Sequence, residues 1–147
     1  MATSRTASAI WTGDLLSGSG VVSSGSSQTF NDLPVSWKTR TESAESNTSP
    51  EELVAAAHAS CFSMALSAGL SKNGTPPDQL EVEATVTFSQ VEGGWKVTSS
   101  SLNVVGSVPG LELEAFQDAA EAAKEGCPIS GAIKGNVELS VKASLSN

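Results

Sequence analysis

Ser49-Pro50-Glu51-Glu52-Leu53-Val54-Ala55-Ala56-Ala57-His58-Ala59-Ser60-Cys61-Phe62-Ser63-Met64-Ala65-Leu66 is the stretch on which the reading of this chain turns. Its opening is a helix start. Ser49 offers a hydroxyl to an N-terminal amide, and Pro50 suits the first helical position, where its missing N–H would have had no partner. Glu52, three residues after Ser49, completes a capping-box pattern. Glu51 and Glu52 also put negative charge at the positive end of the helix dipole. Ala, Leu and Met then dominate, and no Asp, Glu, Lys or Arg occurs from Leu53 to Ser71. A helix that is apolar on every side is a buried one. It is expected to run to about Leu70 and to stop near Asn73-Gly74, with Pro76-Pro77 beyond. Into it the sequence sets its one histidine and one of its two cysteines.

On the N-terminal side, residues 6–12 read as a strand and Gly13-Asp14 as a turn. A glycine- and serine-rich run follows, with a second extended element around Val21-Val22. Residues 33–38 alternate as a strand would, and Thr41 to Ser49 form a polar loop leading into the helix. On the C-terminal side, residues 80–91 carry the cleanest alternation in the chain. Leu80, Val82, Ala84, Val86 and Phe88 face one way, and Glu81, Glu83, Thr85 and Thr87 the other. Glu92-Gly93-Gly94 makes a hairpin, and Trp95 to Val105 returns antiparallel. A second helix over about 112–125 presents Leu113, Phe116, Ala119, Ala120 and Ala123, and Gly126 ends it. Cys127-Pro128 opens a short helical turn, and residues 137–143 alternate as a final strand.

The order is strands, helix, strands, helix, strand. This predicts an α+β fold with largely antiparallel sheets around a central helix, in one domain over 1–147. One sheet covers only one face of a helix. A helix apolar all round therefore predicts a homodimer in which a second copy covers the other face.

Composition narrows the partners. The net charge is −8, with only eight Lys and Arg residues, and these are scattered, which argues against nucleic acid. No uninterrupted run of 18 apolar residues is present, so a membrane span is not expected. The polar Met1-Ala2-Thr3-Ser4-Arg5 has no apolar segment behind it that would make a secretion signal. The expected compartment is the cytoplasm, where structural disulfides are rare. The two cysteines are then inert core residues, metal ligands or redox-active thiols.

Cys61 lies about three turns into its helix, too far along for the dipole to lower its pKa much. If it is reactive, another group must stabilise its thiolate; otherwise it is a small buried hydrophobe. Cys127, beside a helix start and ahead of Pro128, sits where reactive or resolving thiols occur. Two thiols support peroxide chemistry in sequence, one forming a sulfenic acid and the other condensing with it to a disulfide. His58, one turn before Cys61, is either a partner of that thiol or a packed, hydrogen-bonded core histidine. Asp14 reads as a turn residue. Trp11, Trp37 and Trp95 read as sheet or interface residues, one of which could line a substrate pocket.

Several segments together resemble the OsmC branch of the OsmC/Ohr family. They are Trp11-Thr12-Gly13-Asp14-Leu15 with Gly18 and Gly20, Thr39-Arg40, Ser49-Pro50-Glu51-Glu52-Leu53, the run from Ala56 to Leu66, Val108-Pro109-Gly110 and Gly126-Cys127-Pro128-Ile129-Ser130. The resemblance spans nearly the whole chain and implies an intertwined homodimer, with two sheets enclosing the central helices and active sites at the subunit interface. It also implies a thiol peroxidase that prefers organic hydroperoxides to hydrogen peroxide, with no metal or organic cofactor and a dihydrolipoyl-type dithiol as reductant. Residue by residue it makes Cys61 the peroxidatic thiol, Cys127 the resolving thiol and Glu51 the helix-start carboxylate. Glu51 and Cys61 are ten positions apart, about 80° round the helix and two to three turns along it, so an intermediary is needed. Arg40, at the family's Thr-Arg position, is the expected one, and Arg5 is the only other arginine. A cation beside a cysteine lowers its pKa from about 8.5 to roughly 3.5–7.5. It also stabilises the departing alkoxide. Ala and Leu residues with Phe62 and Met64 would supply an apolar site.

Two other classes remain. One is a redox sensor or binding protein that oxidises without efficient turnover. The other is a metal site of Cys61, Cys127 and His58, disfavoured because it has no fourth ligand and no CxxC spacing.

Overall fold

A computed structural model describes residues 1–147 as two compact units, Met1–Leu53 and Val54–Asn147. The first is built on a three-stranded antiparallel sheet, β1 (Ala7–Thr12), β2 (Ser19–Ser24) and β3 (Leu33–Val35), in that order. The β1–β2 turn is made by Asp14, whose Oδ1 accepts the amides of Leu16 and Ser17, with Gly13 at a φ of +92°. β3 is shorter than its alternation predicts. At Ser36 the chain leaves the strand, and α1 (Lys38–Thr41) is a single helical turn. Hydroxyls drive that change: Ser36 Oγ accepts the Thr39 amide, and Thr39 Oγ1 lies 2.9 Å from the Ser36 carbonyl. Thr39 Oγ1 is also 3.1 Å from the Thr48 carbonyl, and Thr48 N–H bonds Pro34 O, so the loop into the central helix is tied back to β3.

The central helix, α2 (Pro50–Lys72), is continuous and stops at Asn73-Gly74, with Gly74 at a φ of +85°. Its cap is half of the predicted box. Ser49 Oγ accepts the Glu52 amide at 3.1 Å, but the Glu52 carboxylate takes the Thr48 hydroxyl at 2.6 Å instead of reaching back to the backbone. By length and composition α2 is apolar enough to cross a membrane, which a search for unbroken apolar runs overlooks. Its stripe of His58, Phe62, Leu66 and Leu70 is buried within the second unit, as a core helix requires. The opposite stripe, with Ala56, Ala57, Met64 and Ala68, is exposed in the single chain.

The second unit has its own three-stranded sheet, β4 (Gln79–Val91), β5 (Gly94–Ser107) and β6 (Glu138–Leu145), in that order. β4 and β5 form the predicted antiparallel hairpin, whereas β6 runs parallel to β5. The parallel pairing follows from the connection, which crosses over through α3 (Leu113–Gly126) and α4 (Pro128–Ile133). The inward registers of β5 (Leu102, Val104) and α3 (Phe116, Ala120, Ala123) close a core with Phe62, Leu66, Leu70, Val108 and Cys127. Leu113, expected on the buried stripe of α3, is about half exposed. Gly106 is required where it stands: a Cβ there would come within 2.5 Å of the Phe116 ring.

Candidate active site

Two clusters hold the residues singled out by sequence, one in each unit. In Met1–Leu53, α1 projects Arg40 and the first turn of α2 projects Glu51. The guanidinium grips the carboxylate through Nη2 at 2.7 Å and Nε at 3.1 and 3.3 Å. The Glu51 side chain is only 9% exposed, so its charge is taken out of water and answered by a fork of donors. The same guanidinium stacks over Trp37, 5.6 Å from the ring centre. Arg5, the other arginine, is exposed and bonds the Ser4 carbonyl. Arg40, Trp11, Leu15, Val35, Trp37 and Pro50 line a groove of about 330 Å³ in this unit. Phe62, expected at an apolar site, lies in the core instead, and Met64 lines a different surface depression with Pro77 and Leu80.

In Val54–Asn147 the chain brings Cys61 and Cys127 together as free thiols, Cys61 half-buried and Cys127 buried. Cys127 is held by two helices at once. Its N–H bonds Ala123 O and ends α3, while its own carbonyl accepts Gly131 N–H at the start of α4. Pro128 occupies the first position of α4, as its locked φ favours.

The two thiols influence each other directly, and their environments shift their pKa values in opposite directions. Burial raises Cys61, as does its hydrogen bond with Cys127. Burial also opposes charge on Cys127. Its bond from Cys61 and the amide and hydroxyl of Ser130 outweigh that, and its pKa falls below the ordinary thiol value. Of the two, Cys127 is the thiol that ionises more readily.

His58 is fully buried beneath the pair. Its Nδ1 lies 2.6 Å from Ser100 Oγ and its Nε2 lies 2.8 Å from Ser130 Oγ. Burial lowers its pKa, so it is neutral at neutral pH. The packed, hydrogen-bonded alternative is the geometry it adopts. Both ring nitrogens are engaged by serines, and the chain assembles no cluster of three or more His, Cys, Asp or Glu residues to hold a metal ion. Ser100 and Ser130 are the residues that the sequence did not single out. The available signal was the inward register of Ser100, two residues from Leu102.

The family model described as OsmC-like protein matches residues 43–142. The chain is 40% identical over 129 residues to peroxiredoxin OsmC of Escherichia coli, covering 88% of this chain and 89% of the relative. Among solved structures, the organic hydroperoxide resistance protein OhrB of Bacillus subtilis superposes with a TM-score of 0.74 at 28% identity, over 94% of this chain and 97% of the other. An organic hydroperoxide resistance protein from Elizabethkingia anophelis gives 0.73 at 30% identity, over 100% and 99%.

Proposed function

Because this chain belongs to the OsmC-like protein family, we propose that it is a cysteine-based peroxidase that reduces hydroperoxides to alcohols, acting as an antioxidant enzyme. The observation that carries the reading is the pairing of Cys61 with Cys127, two free thiols close enough to perturb each other's ionisation. The more accessible of the two, Cys61, is the peroxidatic thiol. Its thiolate attacks the distal oxygen of ROOH, the O–O bond breaks, and RO⁻ leaves and takes a proton to become the alcohol. Cys61 is left as a sulfenic acid. The Cys127 thiolate attacks that sulfur, hydroxide leaves as water, and a Cys61–Cys127 disulfide results. An external dithiol of dihydrolipoyl type restores both thiols.

Charge is the difficulty in the first step, since Cys61 is the sulfur whose environment disfavours the thiolate. We assign to Arg40 the cation that corrects this, with Glu51 as the carboxylate that fixes its orientation. A guanidinium lowers a neighbouring thiol pKa and stabilises a departing alkoxide. Organic hydroperoxides are the preferred class and hydrogen peroxide the poorer one. The groove holding Arg40 has apolar walls and one charged group, which matches an apolar tail ending in a peroxy group.

The chain works as one domain and as a homodimer in the cytoplasm. The exposed apolar stripe of α2, with exposed Ile10, Leu15 and Leu16, supports a second copy as the missing cover. The deciding experiment is cumene hydroperoxide consumption with dihydrolipoamide against a monothiol, with Cys61→Ser alongside. Many turnovers with the dithiol, lost in Cys61→Ser, are expected. A single stoichiometric oxidation without turnover would make the protein a redox sensor instead.

A further inference from the structure

Arg40 and Glu51 stand on separate elements, and one half-buried residue between them, Thr48, touches the chain neighbour of each. Its N–H bonds the Pro34 carbonyl at 3.0 Å, where Val35 and Thr48 pair as a parallel bridge. The hydroxyl of Thr39, the residue before Arg40, lies 3.1 Å from its carbonyl. Its own hydroxyl donates to Oε1 of Glu52, the residue after Glu51, at 2.6 Å, the length of a charge-assisted bond. β3, α1 and the first turn of α2 therefore meet on one threonine. Both ends of the ion pair need such a tie. α1 has four residues, a single turn that its own backbone bonds hold poorly, so the aim of Arg40 is set by contacts outside the turn. Glu51 and Glu52 are adjacent carboxylates, about 100° apart round the helix, and each attracts a guanidinium. Glu51 takes Arg40, while Glu52 is engaged by Thr48. The same engagement explains the half-formed capping box, since a carboxylate turned to Thr48 does not reach back to the Ser49 amide.

We infer that Thr48 is a positioning residue for the Arg40–Glu51 pair: it ties α1 to the start of α2 and holds Glu52 aside, so that Glu51 is the carboxylate the guanidinium meets. Its bearing on catalysis rests on the peroxidase reading above, in which Arg40 stabilises the Cys61 thiolate and the departing alkoxide. The geometry of the pair is a property of Met1–Leu53 alone. A hydroxyl suits this place for two reasons. It donates to a carboxylate while the backbone N–H and carbonyl of the same residue stay engaged. It is also neutral, so it fixes Glu52 without adding a second cation beside Glu51.

Arg5 and Arg40 are the only arginines, so the arginine Nε–H region of a nitrogen–proton NMR spectrum holds two signals. Arg5 is exposed, whereas the Arg40 Nε–H faces both oxygens of Glu51 and is expected to exchange slowly with solvent. Thr48→Val keeps the β-branch and removes only the hydroxyl. It is expected to speed exchange at Arg40 by about fivefold, the worth of one net hydrogen bond, while the backbone amides of β1 and β2 keep their protection. Thr48→Ser, which restores the hydroxyl, is expected to restore slow exchange. In single-turnover oxidation of Cys61 by cumene hydroperoxide, Thr48→Val is expected to slow sulfenic acid formation by a similar factor, and Thr48→Ser to recover it. Unchanged Arg40 exchange in folded Thr48→Val overturns the inference, as does a Thr48→Ser protein that behaves like Thr48→Val. If Thr48→Val does not fold, Thr39→Val, which cuts the tie on the Arg40 side, decides by the same exchange. Faster exchange with an unchanged oxidation rate overturns the bearing on catalysis. No oxidation of Cys61 in the unmutated protein is instead a failure of the peroxidase reading, and the exchange result stands apart from it.

Discussion

Arg40 and Glu51, eleven positions apart, meet through three N–H···O contacts of 2.7 to 3.3 Å, and the carboxylate has almost no other access to water. A lysine cannot reproduce a fork. Arg40→Lys should therefore cost roughly 1–3 kcal/mol of stability in chemical denaturation. It should also slow single-turnover sulfenic acid formation, followed by stopped flow. A lysine variant that is as fast as the parent would remove Arg40 from the peroxide step.

The two cysteines should fail differently. Cys61→Ser is expected to leave no reaction with peroxide. Cys127→Ser is expected to react once and stop with Cys61 as a sulfenic acid, which dimedone adduction and mass measurement detect. A dimedone adduct on Cys127 in the Cys61→Ser protein would reverse the two roles.

His58 gives stability a pH dependence whose sign is fixed by burial. Its folded pKa lies below the unfolded value near 6.5, so the unfolded chain takes up the proton first. The stabilisation is whole above that value and is lost as pH falls through it towards the folded pKa. Thermal melts should therefore fall between neutral and mildly acidic pH, and His58→Gln should flatten that slope. An equally steep slope in His58→Gln would place the titration elsewhere.

Gly106 faces the Phe116 ring so closely that a methyl group has no room. Gly106→Ala is expected to destabilise the protein by about 1–3 kcal/mol through overpacking, read as a lowered denaturation midpoint. No loss would mean that Phe116 moves aside freely.

The exposed stripe of α2 bears on assembly. Met64 is 69% exposed in the single chain and sits among Ala56, Ala57 and Ala68. Met64→Glu is expected to shift the protein from dimer to monomer in light scattering, since a charge would be buried at a helix–helix contact. A dimer of unchanged strength would move the interface away from this stripe.

How far the sequence went depends on which signals are local. The start and stop of α2 are written in Ser49-Pro50 and Asn73-Gly74, and β4 in its strict alternation, so both were legible. The direction of β6 was not, because alternation has no sense of parallel or antiparallel. Trp37 and Lys38 continue the alternation of β3, but side-chain hydroxyls of Ser36 and Thr39 turn the backbone there. Cys61, Cys127, Arg40 and Glu51 stood out as residue types in motifs, and each cluster is assembled within its own unit. Ser100 was hidden by a bulge. Phe88 pairs with Val97 and Thr87 with Ser99, so an extra residue reverses which side of β5 faces inward. Without that shift Ser100 reads as an outward serine in a run of four polar residues.

The seat of Cys127 between α3 and α4 has a thermodynamic consequence for the oxidised protein. A bond from Cys61 to that junction closes a loop containing β4, β5 and all of α3. Restricting an unfolded chain over such a length is worth about 4 kcal/mol in the chain-entropy account. By linkage, whatever the bond adds to the fold, the fold returns to the bond as resistance to reduction. Either reductant meets that resistance once, in opening the bond; a monothiol then needs a second bimolecular step, while a dithiol finishes by closing its own ring. A Cys61–Cys127 disulfide formed in the proposed cycle would thus also be a clasp, and the protein would be at its stiffest at the moment it waits to be reset.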